Sequence, residues 1–308
     1  MADQQEQHGA ASRYDSYIQF LGTGAADCHD SPEFPHRLQR GESAALRIEE
    51  LGGKNVRRYS SLYIAPDIVV DFTSHDQLRA HDVPEEWIRH ILYTHAHPDH
   101  FQPRALLRLL HWASQPINVY ASPTVLAALQ FAAQYEWDPP VANFRVRPDW
   151  PRQFDPPPFP VNPGDAFAVG SARVSAVLAN HQIDAANAIL AEPALNFVFQ
   201  RNGKALLYAL DSAYFLPGSF EILSRFQFDI AVFDGTFGTR DIDPAASGHQ
   251  NVAMLEDTVQ QFRDAGLFRH NAKIVASHIY SEESHADLAN LLAAKGIMLA
   301  YDGMRIDF

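Results

Sequence analysis

The sequence predicts an α/β domain, and three observations carry that reading. Short apolar runs of strand character recur along the chain, separated by segments whose apolar residues repeat with helical period. At 308 residues, 46% of them hydrophobic, the chain can bury a full core as one large domain or two small ones. Several strand-like runs end directly in histidine or aspartate, side chains that hold divalent metals.

The elements follow in order. Tyr17 to Leu21 is the first strand, ahead of Gly22-Thr23-Gly24-Ala25-Ala26. This Gly-x-Gly reads as a tight turn that needs residues tolerant of positive φ. A dinucleotide fingerprint would need a third glycine and a helix directly after, whereas Asp27 to Pro35 is polar and broken by proline. Gly52 to Ser61 leads into a strand pair, Leu62 to Ala65 and Ile68 to Asp71, turned at Pro66-Asp67. Ile91-Leu92-Tyr93 is a buried strand, and a helical pattern begins at Pro103. Ser122-Pro123 supplies an N-cap and a first-turn proline, with Leu126 and Leu129 on the inward face.

Nine of the twenty prolines fall between Pro139 and Pro163, among Trp137, Phe144, Trp150, Phe154 and Phe159. An insertion over 137–163 of this composition is neither a regular helix nor a central strand. So many aromatics would otherwise sit in water, which favours the rim of a pocket or a subunit contact, as in a homodimer, over a plain surface excursion. Val174 to Leu178 is a strand ahead of His181, and Asn196 to Gln200 with Ala205 to Leu210 forms a hairpin ending at Asp211. Ile230 to Phe233 leads to Asp234-Gly235-Thr236-Phe237. Ser247-Gly248-His249-Gln250 then opens an amphipathic helix with Val252, Leu255, Val259 and Phe262 on one face. Lys273 to Ala276 precedes His278. Ser284 caps a last helix with Leu288, Leu291 and Leu292 inward and Gly296 as its stop, and 300–304 reads as a final strand and turn.

The most specific stretch is Thr94-His95-Ala96-His97-Pro98-Asp99-His100, three imidazoles and a carboxylate straight after a buried strand. In a tight turn His95 and His97 point to one side and Asp99 and His100 to the other, which suits two neighbouring metal ions. A histidine-rich surface loop is the bland alternative. His8, His75, His81, His90, His111, His270 and His285 lie outside any ligand spacing and read as ordinary residues.

The spacing His-x-His-x-Asp-His resembles the metal-binding signature of the metallo-β-lactamase superfamily, and the likeness runs from Tyr17 to Phe308. It implies a four-layer αββα sandwich over 17–308 with a one- or two-metal hydrolytic site at one edge. The later ligands implied are His181, Asp211 and His278. One ion would then take His95, His97 and His181, and the other Asp99, His100 and His278, with Asp211 bridging. Asp71 matches the acidic position that orients a ligand. The opening Phe20 to Ala26, the Arg57-x-x-Ser60-Ser61 lead-in and 300–304 are similar to the branch of cyclic-phosphate phosphodiesterases and, more distantly, tRNA 3′-processing nucleases. Arg57 or Arg58 would hold a substrate phosphate there; a solvated turn fits equally. In the tRNA-processing branch an acidic residue before a Thr-Phe pair holds a later histidine that acts on the phosphate. Asp234 and His249 match those positions, so Asp99, Asp234 and His249 are the expected catalytic residues. One departure stands out. The phosphonate-pathway enzymes carry a cysteine cluster for a structural zinc, and here only Cys28 remains, beside His29 and His36.

Composition narrows the function. The formal charge of −13 disfavours a nucleic-acid footprint yet admits a small anionic substrate, since two cations would dominate the local field. No apolar run approaches a membrane span. Residues 1–16 are polar, lack a signal-peptide layout and read as a disordered lead-in. The single cysteine fits a reducing, cytoplasmic setting. The expectation is a hydrolase with two zinc or manganese ions that cleaves a small phosphodiester, cyclic or not, through a hydroxide between the ions. A lactonase or other carboxyl-ester hydrolase, a tRNA nuclease and a non-catalytic binding protein are the alternatives. The first would not need Asp234 and His249, the second needs a basic docking arm, and the third usually has an eroded motif.

Overall fold

The computed structural model describes residues 16–147, 154–181, 193–244 and 247–308. Residues 1–15 of the expected lead-in, and Trp150, lie outside these. Ser16, counted with that lead-in, is instead tied to the C-terminus: the Phe308 amide donates to its carbonyl at 2.8 Å.

The chain opens with β1 (Tyr17–Gly22), α1 (Phe34–Gln39) and α2 (Ser43–Leu51). The hairpin β2 (Ser61–Ile64) and β3 (Ile68–Val70) follows, then α3 (His75–Ala80), β4 (His90–Leu92), α4 (Pro103–Trp112), β5 (Asn118–Ala121) and α5 (Pro123–Gln134). The proline-rich segment holds a separate hairpin, β6 (Tyr135–Asp138) and β7 (Asn143–Val146), and the short β8 (Phe159–Pro160) at a sheet edge. The second half runs β9 (Ala166–Val169), β10 (Ala172–Leu178), β11 (Leu195–Arg201), β12 (Lys204–Ala209), α6 (Pro217–Leu223), β13 (Phe228–Asp234), α7 (Val252–Asp264), β14 (Phe268–Ser277), α8 (His285–Ala293), β15 (Met298–Leu299) and β16 (Arg305–Asp307).

Two seven-stranded sheets result, ordered β16-β1-β2-β3-β4-β5-β8 and β15-β14-β13-β12-β11-β10-β9. They pack face to face through Ile18, Phe20, Leu62 and Val70 on one side and Phe197, Phe199, Leu206 and Val232 on the other. The period-2 alternation of a strand sends the intervening residues outward. Tyr17, Leu21, Tyr63, Val69 and Ile91 therefore meet Leu78 of α3, Leu106 and Leu107 of α4 and Leu129 of α5. Leu207, Ala231, Phe233 and Ala276 meet Leu255, Val259 and Phe262 of α7 and Leu288 of α8. This is the four-layer αββα sandwich. Phe262 packs on Phe215, Phe220, Phe228 and Phe233, so its truncation to alanine would cost about 3–5 kcal/mol.

Strands β3, β4 and β5 are parallel, as are β12 through β15. Their carboxyl ends gather at one edge, where parallel α/β sheets collect ligand-binding residues. Some local expectations change. On α5, Val125 and Leu129 fill the core while Leu126 is half-buried, and on α8 Leu291 stays 38% exposed. Helices α1 and α2 lie over 34–51, where the sequence pattern had named no element. The final strands β15 and β16 flank 300–304 rather than fill it. Gly22 and Gly24 have ordinary negative φ. They are needed for close approach instead: a Cβ on Gly22 would lie 1.9 Å from the Tyr59 carbonyl oxygen, and one on Gly24 2.5 Å from Cys28 Cβ. No helix among the described residues is long and apolar enough to cross a membrane.

Candidate metal centre

Each candidate ligand, and Asp71 behind them, sits just past the end of a parallel or hairpin strand. Asp71 follows β3, His95 to His100 follow β4, His181 follows β10, Asp211 follows β12 and His278 follows β14. Asp71, Asp211 and His278 adopt left-handed backbone, with φ of 56°, 50° and 63°. Non-glycine residues pay on the order of 1–3 kcal/mol there and persist where the surroundings impose it. The kink turns three strand ends so that their side chains converge.

His181 Nε2 lies 3.2 Å from His97 Nδ1 and 3.8 Å from Asp211 Oδ1, and His95 Nε2 lies 3.9 Å from the same oxygen. On the other side His278 Nε2 lies 3.1 Å from His100 Nε2 and 3.3 Å from Asp99 Oδ2. Asp211 Oδ2 closes this second group, 2.9 Å from His100 Nε2 and 3.4 Å from His278 Nε2. Asp211 thus presents one oxygen to each group. Donors about 2.0–2.2 Å from a tetrahedral ion sit roughly 3.4 Å apart, which is the separation seen. The polar atoms support the same fit. His95 Nε2 is fully buried without a hydrogen bond, a cost of about 1–3 kcal/mol that a cation would remove. His95, His97, His181 and Asp211 can hold one metal ion, and Asp99, His100 and His278 another.

Electrostatics acts differently on the two groups: it favours the neutral form of the first group's histidines and the protonated form of His100, whose proton a cation must displace. Burial pushes the pKa of His95, His97 and His181 down, so they are neutral and keep a lone pair for a metal. Burial acts the same way on His100, but Asp211, Asp99 and Asp71 outweigh it and raise its pKa well above the usual value. Asp99 and Asp211 are held well below the carboxylate range; burial opposes this, and His100 and His278 overcome it.

Two threonines that the sequence reading passed over grip the histidines from behind. Thr94 donates from both its amide and its hydroxyl to Asp71, and His95 Nδ1 lies 3.0 Å from that hydroxyl. Asp71 Oδ2 itself meets His100 Nδ1 at 2.9 Å. On the other sheet Thr236 donates to Asp234, and His278 Nδ1 lies 2.7 Å from its hydroxyl. The signal was present in sequence: a hydroxyl residue directly before the first histidine, and one two positions after Asp234.

The structure brings Asp234 and His249 together, with His249 Nδ1 2.9 Å from Asp234 Oδ2. Burial lowers the His249 pKa, but the Asp234 carboxylate, then Asp211 and Asp99, prevail and lift it to about 9. Its position differs from the expected helix mouth. Helix α7 starts at Val252 with Asn251 as its cap, so His249 sits in the preceding turn, where its amide donates to Ser247 Oγ. Asp211, His249 and His278 also fall within one ion's reach, so proximity alone does not separate His249 from the ligands.

Arg57 is not a surface donor. At 3% exposure it donates to Thr23 Oγ1, the Ala300 carbonyl and His285 Nδ1, and so braces the first turn against the C-terminal strands. These partners explain the residue without a substrate. Arg58 lies 3.5 Å from Asp30 and is half-buried. Cys28 is buried beneath Gly24, and burial raises its thiol pKa. His29 packs on Phe34 and lies 3.4 Å from Glu49.

Comparison with solved structures finds the same architecture. The zinc-bound PqqB of Methylobacterium extorquens matches with a TM-score of 0.63 at 20% identity, covering 95% of this chain and all of that one. A diphosphatase of the PhnP family matches at 0.65 and 18% identity, over 95% and 97% of the two chains. The short form of human tRNase Z matches at 0.61 and 18% identity, over 94% and 98%. No curated protein sequence matches. A family profile described as the beta-lactamase superfamily domain matches residues 64–279, from β2 to just beyond His278 and well over half of the chain. The chain belongs to the beta-lactamase superfamily of metal-dependent hydrolases.

Proposed function

We propose that this protein is a dinuclear metal-dependent phosphodiesterase acting on a small, anionic, cyclic phosphodiester. The observation that carries the reading is the Asp234–His249 pair standing beside the seven-residue ligand cluster. His95, His97 and His181 would hold one ion, Asp99, His100 and His278 the second, and Asp211 both. The imidazoles favour zinc, and the carboxylates at the second position tolerate manganese. When bound, such ions lower the pKa of water and neutralise charge on phosphoryl oxygens.

The chain's own residues supply the rest. His249, kept protonated by Asp234, donates a proton to the leaving alkoxide. Asp234 accepts from the Asp211, Thr236 and Gln250 amides as well, which fixes its carboxylate under His249. A small substrate fits the charge of −13. The β6–β7 hairpin is not a basic arm, since Arg145 lies 2.7 Å from Glu136 and 3.7 Å from Asp138. The single, buried thiol fits a reducing, cytoplasmic setting. The names of two similar structures, a diphosphatase and a tRNase, support phosphate chemistry.

The test is a screen of metal-loaded protein against cyclic nucleotides, bis-aryl phosphates and lactones. Opening of a cyclic phosphodiester supports the reading. Turnover confined to lactones overturns it in favour of carboxyl-ester hydrolysis.

A further inference from the structure

We propose that Thr236 is a positioning residue whose single hydroxyl sets the tautomer of His278 and ties that ligand to His249. The proposal rests on the reading just given and names how two of its parts are joined.

Thr236 is 1% exposed, and its Oγ1 lies 2.7 Å from His278 Nδ1, 3.0 Å from Asp234 Oδ2 and 3.1 Å from His249 Nδ1. A hydroxyl carries one proton, and an ionised carboxylate only accepts. The Thr236 proton therefore goes to Asp234, and the oxygen lone pair faces His278. His278 Nδ1 must then carry the proton that it donates, so in the neutral imidazole that metal ligation requires, Nε2 is the bare nitrogen. That Nε2 is the atom directed at Asp99 Oδ2 and Asp211 Oδ2, 3.3 and 3.4 Å away.

The other half of the site repeats the wiring. Thr94 Oγ1 donates to Asp71 and faces His95 Nδ1, which leaves His95 Nε2 as a buried atom without a partner. In each half a buried aspartate takes one histidine directly, His100 or His249, and a second through a threonine hydroxyl. The two arrangements lie on different sheets and share no residue. In the second half the wiring joins different tasks. Asp234 Oδ2 accepts from Thr236 Oγ1, from His249 Nδ1 and from the Asp211 amide at 3.0 Å. Loss of the hydroxyl would free the His278 tautomer and remove one donor from the oxygen that holds His249.

The experiment compares Thr236→Val, which keeps the shape, with Thr236→Ser, which keeps the hydroxyl. Zinc affinity is read by chelator competition. The valine variant should hold one of its two ions about 10- to 100-fold more weakly, the usual loss for an outer hydrogen-bond partner of a ligand, and serine should restore it. At saturating zinc the valine variant should also lose turnover on a poor leaving group more than on a nitrophenolate. Wild-type zinc affinity in Thr236→Val overturns the proposal while leaving the dinuclear reading intact, whereas a wild-type chain that binds fewer than two ions overturns that reading first. If the valine variant does not fold, nitrogen-15 NMR of the zinc-loaded wild-type chain decides. A slowly exchanging His278 Nδ1–H supports the proposal, and ligation through Nδ1 overturns it.

Discussion

Replacing His249 by alanine removes the one imidazole that Asp234 holds directly. The carboxylate keeps its bonds from the Asp211, Thr236 and Gln250 amides and from the Thr236 hydroxyl. Asp234, and with it the backbone of Asp211, should therefore stay in place, and both metal ions should remain. What is lost is a proton donor. That loss is worth roughly 10²- to 10⁴-fold in turnover, about 2.7–5.5 kcal/mol of barrier. A nitrophenolate leaves unaided, so the loss on such a substrate should be much smaller than on an alkyl ester. The pH dependence gives a second readout. His249 donates only while protonated, and its pKa of about 9 keeps it so at neutral pH in the metal-free chain. Bound cations lower that value, so wild-type turnover of a poor leaving group should fall as pH rises, with a midpoint at or below about 9. The alanine variant should lack this limb. The assay is steady-state turnover of an ester series with metal analysis on the same samples. Equal slowing of good and poor leaving groups would refute proton donation, and loss of a metal would place His249 among the ligands.

Two further perturbations test the frame around the site. Gly22→Ala puts a Cβ 1.9 Å from the Tyr59 carbonyl oxygen, a backbone atom that cannot swing aside. It should destabilise the fold by about 3 kcal/mol or more; an unchanged melting temperature would show that β1 and the 57–61 segment separate more easily than they are packed. Cys28→Ser should leave metal stoichiometry unchanged, because a lone cysteine cannot rebuild a cysteine-cluster site; a drop of one ion per chain would reveal a structural zinc there.

The parts of the site legible in sequence are those where the chemistry is local. His95 to His100 are consecutive and follow an apolar run, so their ligand character needs no tertiary knowledge. His181, Asp211 and His278 stand at strand ends that the apolar runs mark. The sandwich followed from the family resemblance, and the alternation in β1, with Phe20 inward and Leu21 outward, is visible once two sheets are assumed. The burial of Arg57 was not legible because it depends on Thr23, Ala300 and His285, all distant in the chain. Thr94 and Thr236 escaped notice because a threonine beside a strand is ordinary until its hydroxyl is seen between a carboxylate and an imidazole. The helix was expected to open at His249, but Asn251 is the residue whose side chain accepts from Met254 and caps it. Leu291 shows the limit of periodicity: it shares the apolar spacing of Leu288 and Leu292 but falls at the edge of the buried stripe.

The central claim is a two-ion centre bridged by Asp211, and elemental analysis of the purified chain beside Asp211→Ala tests it most directly. The wild-type protein should carry about two equivalents of zinc or manganese, and the alanine variant should lose metal and hydrolytic activity together. Full metal content in Asp211→Ala, or a single equivalent in the wild-type chain, would contradict the bridged centre.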